Sequence, residues 1–450
     1  MFERIKIPTA KYGNNQEYCL VHMIIKNFKD LATDPKKRTA LIIMDAGLLA
    51  AMPDVALKKI VRKNKLVIGK NTIPLAKYEQ IFVIGLGKAA DRMTNAVNSL
   101  TNVDGGIIVI PQGTRSILKN KKYKILHAGH PIPNKQSTQA AKKILNFLKK
   151  RARTDLIIFL ISGGSSSLIS LPDGIKLDDK KTVTRLLLKS GANIHEINCI
   201  RKHLSKIKGG KILEHLTCDA ISLVMSDVVG DNLSSIGSGL TYCDNTTFGD
   251  AKKILQKYNL KKTVPRSIIK RIDLGINKKI PETPKHPTIK NYIIATNKDC
   301  LNTMAKKAKS VGLKTKLVYP VSGNVKQATK KLVKAMPKEP KSCLIFGGET
   351  TVKVTDRGKG GRNQELVLYL LNEIQKTSKK ITITSVGTDG KDGNTDAAGA
   401  IISNTEFKSK EIQNFLQDNN SYNFFKKHGG LIFTGPTHTN LMDIGIILRR

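Results

Sequence analysis

The sequence predicts an α/β protein: a Rossmann-like parallel-sheet domain, then a second, smaller α/β domain, with the active site in the cleft between them. Three observations carry this. Short β-branched runs without polar interruption end in glycine loops, and amphipathic segments with helical spacing lie between them. The alternation breaks over 261–290, where Pro265, Pro281, Pro284 and Pro287 stand among many lysines, and then resumes. Continuous apolar runs suit strands buried on both faces, as crossover helices impose. A chain of 450 residues, at about 150 residues per domain, allows two or three such units.

In chain order, apolar residues from about Glu17 to Leu57 recur at three and four positions, as in amphipathic helices, with Asp34-Pro35 as a cap and restart. Strands follow at 80–85, 106–110, 155–161 and 220–225, with crossover helices at 136–148 and 180–189. Beyond the proline-rich stretch come strands at 292–295, 316–318, 343–346 and 381–384, with helices to about Val311, through Lys334 and over 365–375. The expected division is therefore 1–260, a linker over 261–290, and 291–450, with the last residues packing back on the first domain.

Lys plus Arg number 77 against 35 acidic residues, a formal net charge of +42. That excess invites a nucleic-acid reading through counterion release. Against it, the charge is 62 lysines to 15 arginines, dispersed along the chain, with 5% aromatics and no Trp for base stacking. A Lys-biased solvated surface is the favoured reading. Six cysteines without CxxC or paired spacing imply neither a disulfide framework nor zinc, and suit a reducing interior. The Met1–Lys6 segment lacks a signal-peptide core, and the apolar stretch Ala40–Met52, broken by Asp45, falls short of the roughly 18–20 residues of a spanning helix. A cytoplasmic protein without a membrane partner is expected.

Six stretches carry chemistry. Gly85-Leu86-Gly87-Lys88-Ala89-Ala90 follows a strand and opens a helix; glycines let the backbone approach an anion, helix N–H groups point at it, and Lys88 adds a charge. It is neither a Walker A loop nor a full GxGxxG fingerprint, since Ala90 takes the third glycine's place, and a plain strand-to-helix turn competes. Ser162-Gly163-Gly164-Ser165-Ser166-Ser167, also after a strand, has the composition of an anion nest. Open α/β sheets put ligands at that end of their strands. Ser226-Asp227 with Gly230-Asp231, and Gly387-Thr388-Asp389-Gly390 through Asp396, place carboxylates at strand ends, suited to Mg²⁺ or to simple Asx-turns. Gly347–Thr351 and Arg357–Glu365 lead into a helix, with Arg362 placed to clamp a phosphate or carboxylate, against a hairpin with a solvated turn. Ile200–Gly210 is basic and helical, and a solvated helix face competes there. His127 and His130 do not share a helix face, HExxH is absent, and the order around Ser166 is not GxSxG, which argues against a zinc hydrolase and a nucleophile elbow.

Together with His130-Pro131-Ile132-Pro133 and Leu188–Asn198, these stretches resemble the glycerate 2-kinase family with a C-terminal MOFRL domain, over most of the chain. The resemblance implies ATP-dependent phosphorylation of D-glycerate at its 2-hydroxyl, giving 2-phosphoglycerate and ADP, with Mg²⁺ or another divalent cation. The family's active-site lysine and arginine fall on Lys88 and Arg362. The sequence departs from the family pattern at Asn134, Ser165, Ser167, Val229, Leu240 and His438, all in loops, so pocket shape and nucleotide preference are less constrained than the reaction class.

Phosphoryl transfer needs positioning and charge neutralisation more than covalent chemistry. The loop residues Ser162, Gly163, Gly164, Ser165 and Ser166, with Gly85, Gly87, Glu349 and Asn363, are expected to cradle ATP phosphates. Lys88, Arg201 and Lys208 are the expected substrate contacts. Lys88 and Arg362 are the expected catalytic cations, while Asp227 and Asp389 compete for the metal and general-base roles. The partners are D-glycerate and ATP; nucleic acid is not required, and a homodimer is compatible. Two alternatives stand: an NAD(P)H-dependent hydroxypyruvate reductase, weakened by the missing third glycine and ribose-binding acid, and a basic nucleic-acid-binding protein.

Overall fold

Two six-stranded sheets organise the computed structural model, which describes residues 23–354, 358–375, 381–403 and 407–449. The expected helical residues 17–22, the Met1–Lys6 segment, Cys19 and Arg357 lie outside the described residues. The first helices are Phe28–Leu31, Pro35–Ala50 and Pro53–Ile60. Asp34 caps the second, accepting from the Lys36 and Lys37 amides at 2.7 and 3.0 Å.

A small antiparallel sheet follows, β1 (Val61–Arg62), β2 (Lys65–Ile68) and β3 (Asn71–Pro74), which the sequence pattern did not announce. The first large sheet comprises β4 (Ile81–Leu86), β5 (Gly105–Pro111), β6 (Tyr123–Ala128), β7 (Leu156–Ile161), β8 (Asp219–Met225) and β9 (Lys290–Ala295). All its pairs are parallel, in the order β6-β5-β4-β7-β8-β9. Every residue of β4 and β7 is buried. Val83, Ile108 and Ile158 pack with Met93 and Val97 of the helix Ala90–Leu100, and Phe82, Ile84 and Ile157 with Ala141 and Ile144 of the helix Lys135–Leu148. That double coverage is why the runs are continuously apolar. Strand order reverses between β4 and β7, so the crevice at their carboxyl ends is the switch point where doubly wound sheets take ligands.

The second large sheet is mixed: β10 (Lys314–Asn324), β11 (Ser342–Thr351), β12 (Ile381–Gly387), β13 (Gly399–Ser403), β14 (Leu431–Ile432) and β15 (Asp443–Arg449), in the order β10-β11-β15-β12-β13-β14. Only β10 and β11 run parallel.

Two expectations about organisation are corrected. The stretch 261–290 is not an irregular linker: Pro265 stands before a helix, Arg266–Ile276, whose Ile268 and Ile272 pack with Phe248 and Leu255 of the helix Phe248–Lys257. Proline there costs nothing, because a helix start leaves its N–H groups unbonded anyway. The strand beginning at Lys290 pairs with β8, so it completes the first sheet instead of opening the second. The last residues form the middle of the second sheet, where Ile444 faces Gly47 of the helix Pro35–Ala50, and the preceding loop also reaches that side, with Thr439 Oγ1 donating to Ala51 O at 2.6 Å and Arg92 to Thr437 O at 3.1 Å.

The helix Pro35–Ala50, near the start of the described residues, packs against the second sheet. A Cβ at Gly47 would lie 2.6 Å from the Met304 side chain and 2.9 Å from that of Ile444, so a larger residue would have to displace them. One core, including Leu41, Val83, Met304 and Ile446, joins both sheets. Among the described residues no single helix is long and apolar enough to cross a membrane; the bent pair Pro35–Ala50 and Pro53–Ile60 passes that test only jointly, with Leu41, Ile43, Met44, Leu48 and Leu57 buried in the core.

Candidate active site

The loops after β4 and β7 are locked together at the switch point. The Lys88 amide donates to Gly163 O at 2.9 Å, the Ser162 amide to Leu86 O at 2.9 Å, and the Ala89 amide to Ser162 Oγ at 3.0 Å. Gly87, at φ +127°, approaches so closely that a Cβ would lie 2.2 Å from Ser162 Oγ.

This corrects the expectation that Gly85 and Gly87 cradle an anion. The Gly87, Lys88, Ala89 and Ala90 amides are all bonded within the protein, and Gly85 packs against Ile108 and Thr94. A dinucleotide pyrophosphate would need those donors. The second loop keeps its own: the amides of Gly163, Gly164 and Ser166 have no partner among the described residues.

Lys88 sends its side chain across to the second sheet, where Nζ lies 3.0 Å from Asp389 Oδ2, just beyond β12. The pair sits in a cleft of about 640 Å³ lined also by His130, Gly390, Thr395 and His438. The His130 ring packs on Gly164 beside Lys88. Burial, then the Lys88 charge, pushes His130 down to about 4, so it is neutral at pH 7.

Arg362 opens the helix Arg362–Ile374 and meets adjacent strands. Asp443, the first residue of β15, accepts from its Nε at 2.6 Å and its NH2 at 3.0 Å, and Glu349 on β11 accepts from NH1. This bidentate geometry fixes the guanidinium plane. Burial disfavours its charge, but Asp443 and Glu349 more than offset that and raise its pKa. Asp443 is pushed up to about 6 by burial, against the pull of Arg362.

Asp227, past the end of β8, closes the constellation. A Cβ at Gly163 would lie 2.2 Å from Asp227 Oδ2 and 2.8 Å from Asn440 Nδ2. Enclosure, then the field of Glu349, pushes Asp227 up to about 6, opposed by Lys88. Lys88, Asp389, Asp227, Gly163, Gly164, Glu349 and Arg362 therefore share one region.

Other expected residues do different work. Asn363 is 2% exposed, with its amide group bonded to Asp392 at 3.2 Å and its carbonyl accepting from Ser385 at 2.6 Å. It is a buried support with no face left for a nucleotide, which corrects that assignment. Lys208 donates to Ser166 O at 2.7 Å and Ser166 Oγ at 3.0 Å. It thus meets the loop at Ser166, whereas Lys88 meets it at Gly163 and Gly164. Ser162 locks the loop, and the Ser165 hydroxyl is buried without a partner.

Asn440 and Asp443 were not singled out from sequence, and His130 and Asp392 lie in stretches that were, without a site role expected of them. Asp392 caps the Arg362 helix from a distant loop, accepting from the Asn363 and Gln364 amides at 3.0 and 2.8 Å. The one available signal was Asp443, an acid standing at the head of an apolar run.

Known proteins resemble this chain in sequence and fold. The chain matches a domain of unknown function (DUF4147) over residues 39–273 and the MOFRL family over 342–443. The glycerate 2-kinase of Pyrococcus horikoshii is 41% identical over 387 residues, 82% of this chain and 87% of that one. A provisionally named hydroxypyruvate reductase of Agrobacterium vitis is 34% identical over 90% of this chain and 93% of its own. The crystal structure of glycerate kinase from Thermotoga maritima superposes with a TM-score of 0.77 at 32% identity, covering 91% of this chain and 98% of that one.

Proposed function

This chain belongs to the glycerate 2-kinase family, and from that premise we propose that it transfers the γ-phosphoryl group of ATP to the 2-hydroxyl of D-glycerate in the cleft where Lys88 meets Asp389. That contact, at 3.0 Å between residues on different sheets, is the observation that carries the proposal. Phosphoryl transfer calls for a cation at the moving phosphoryl oxygens and a base at the attacking hydroxyl, and the pair supplies both. Asp389 takes the hydroxyl proton as the oxygen attacks, and Lys88 neutralises the phosphoryl oxygens. Arg362, oriented by Asp443, retains two free N–H groups of its five to hold the glycerate carboxylate. The unpartnered amides of Gly163 and Gly164 are available to phosphate oxygens.

Asp227 and Glu349 are the residues that would hold Mg²⁺. They are hard oxygen donors close enough that Glu349 disfavours ionisation of Asp227, a repulsion a divalent cation reverses. Among the described residues no cluster of three or more ligating side chains occurs, and a carboxylate pair suits an ion that completes its shell with phosphate oxygens and water. When bound, the ion neutralises charge on the β- and γ-phosphates.

The reductase reading is disfavoured because the amides that would bind a dinucleotide pyrophosphate are already bonded within the protein. Phosphorus NMR of a reaction with D-glycerate, ATP and Mg²⁺, beside an assay with hydroxypyruvate and NADH, tests the proposal. The expected result is 2-phosphoglycerate without NADH oxidation. Phosphate on the 3-position would contradict the regiochemistry, and NADH oxidation without phosphoglycerate would favour the reductase.

A further inference from the structure

The Ser162–Ser167 loop has a second charged side. Lys180, Lys208 and Lys211 are 5%, 1% and 8% exposed, and Arg201 is half-buried beside them. Each lysine lies in the field of other cations: Lys180 feels Arg201 and Lys211, Lys208 feels Lys180 and Arg201, and Lys211 feels Arg271. Of the acids that act on Lys180 and Lys211, Asp173 is engaged by Arg271 and Asp244 by Lys202 at 3.2 Å, and Glu214 stands exposed to solvent. None of the four forms an ion pair among the described residues. Burying charge without a counter-ion is costly, and burial with its cationic neighbours holds Lys180 down to about 7.

Unsatisfied polar atoms gather in the same place. Lys180 Nζ, Ser165 Oγ and Asn198 Nδ2 are buried without a partner, although buried polar atoms are almost always bonded in native proteins. Ser165 belongs to the loop, Lys208 meets it at Ser166, and Asn198 is tied to it through Ser166 Oγ to Ser238 Oγ at 2.8 Å and Ser238 to Asn198 Oδ1 at 3.0 Å. The cleft side is opposite in sign, with Asp227, Glu349, Asp389 and Asp443 outnumbering Lys88 and Arg362. A monocarboxylate brings one charge and the triphosphate tail of a nucleotide several, so the cation cluster matches the latter.

We propose that Lys180, Arg201, Lys208 and Lys211, with Ser165 and Ser166, form a pocket for the polyphosphate tail of a nucleoside triphosphate. This reassigns Arg201 and Lys208 from the glycerate carboxylate to phosphate. For its natural ligand it rests on the kinase reading; its anion chemistry stands without it.

The test titrates full-length protein calorimetrically with inorganic tripolyphosphate and with ATP, for wild type, Lys180→Met, Lys180→Arg and Arg201→Met. Lys180→Met and Arg201→Met are expected to weaken both ligands by about tenfold or more, the scale of a lost charge-assisted hydrogen bond. Lys180→Arg restores most of that affinity, and KM for D-glycerate stays near wild type. Unchanged tripolyphosphate binding in both neutral variants, or a rise confined to KM for D-glycerate, overturns the pocket. If Lys180→Met does not fold, Arg201→Met and the tripolyphosphate-induced rise of the melting temperature decide the same question. Tripolyphosphate binding that depends on these residues in a protein making no phosphoglycerate would sink the kinase reading and leave the pocket standing.

Discussion

Gly163→Ala is the smallest change that bears on the geometry of the site. The added methyl would stand 2.2 Å from Asp227 Oδ2, 2.7 Å from its Cγ and 2.8 Å from Asn440 Nδ2. Non-bonded heavy atoms settle at about 3.5 Å, so the carboxylate or the loop must retreat by about 1 Å. The loop is held from behind by the Lys88 amide at Gly163 O and the Ser162 amide at Leu86 O, which leaves Asp227 to move. A displacement of about 1 Å at a reacting centre costs about a hundredfold in rate, or about 2.7 kcal/mol of transition-state stabilisation. Overpacking of this kind costs about 1–3 kcal/mol of fold stability, so a folded variant is expected. The assay is kcat/KM for D-glycerate at saturating ATP and Mg²⁺, beside urea unfolding. A folded variant with wild-type kcat/KM would refute the placement of Asp227 against this loop.

Three further outcomes follow from the same contacts. Asp443→Asn removes the charge that orients Arg362; kcat/KM for D-glycerate should fall by about tenfold, one charge-assisted hydrogen bond, and unchanged kinetics would free Arg362 of that dependence. Burial raises Asp392 from 3.8 to about 7, so its protonated form is favoured by folding, and its contribution to stability is complete below pH 4 and lost as pH rises through 7. Asp392→Asn keeps one of the two capping acceptors and cannot ionise, so whatever its absolute stability it should lose less of it than wild type between pH 5 and pH 8 in urea titrations; equal losses would contradict it. Asp34→Ala removes two amide contacts at the start of the helix Pro35–Ala50 and should lower unfolding free energy by about 1 kcal/mol, a value that denaturant midpoints would contradict by not moving.

Legibility in the sequence followed burial. β4 and β7 could be read because both faces are covered, leaving unbroken runs of Ile, Val, Leu and Phe. β6 escaped because it is an edge strand whose exposed Lys124 and His127 interrupt the apolar pattern. The pairing of β9 with β8 is set across a long excursion through two helices, which no local periodicity records. Lys88, Asp227, Asp389 and Arg362 stood out because each sits among glycines at an element's end. Lys180 did not, since one lysine on a helix of a chain with 62 has the pattern of a solvated face until folding buries it. Asn363 misled in the opposite sense, because a polar residue at a helix start next to Arg362 has the composition of a binding loop while its side chain is turned into the protein.

The central claim is that one cleft, with a residue from each sheet, performs the transfer. Turnover of Lys88→Ala with D-glycerate, ATP and Mg²⁺ tests it most directly, since Lys88 contacts the loops of the first sheet and Asp389 of the second. Loss of a cation at the transferring group is worth about 10³-fold or more, and the melting temperature should stay close to wild type because a single partly exposed ion pair, Lys88–Asp389, contributes little to stability. A folded Lys88→Ala protein turning over at near the wild-type rate would contradict the account.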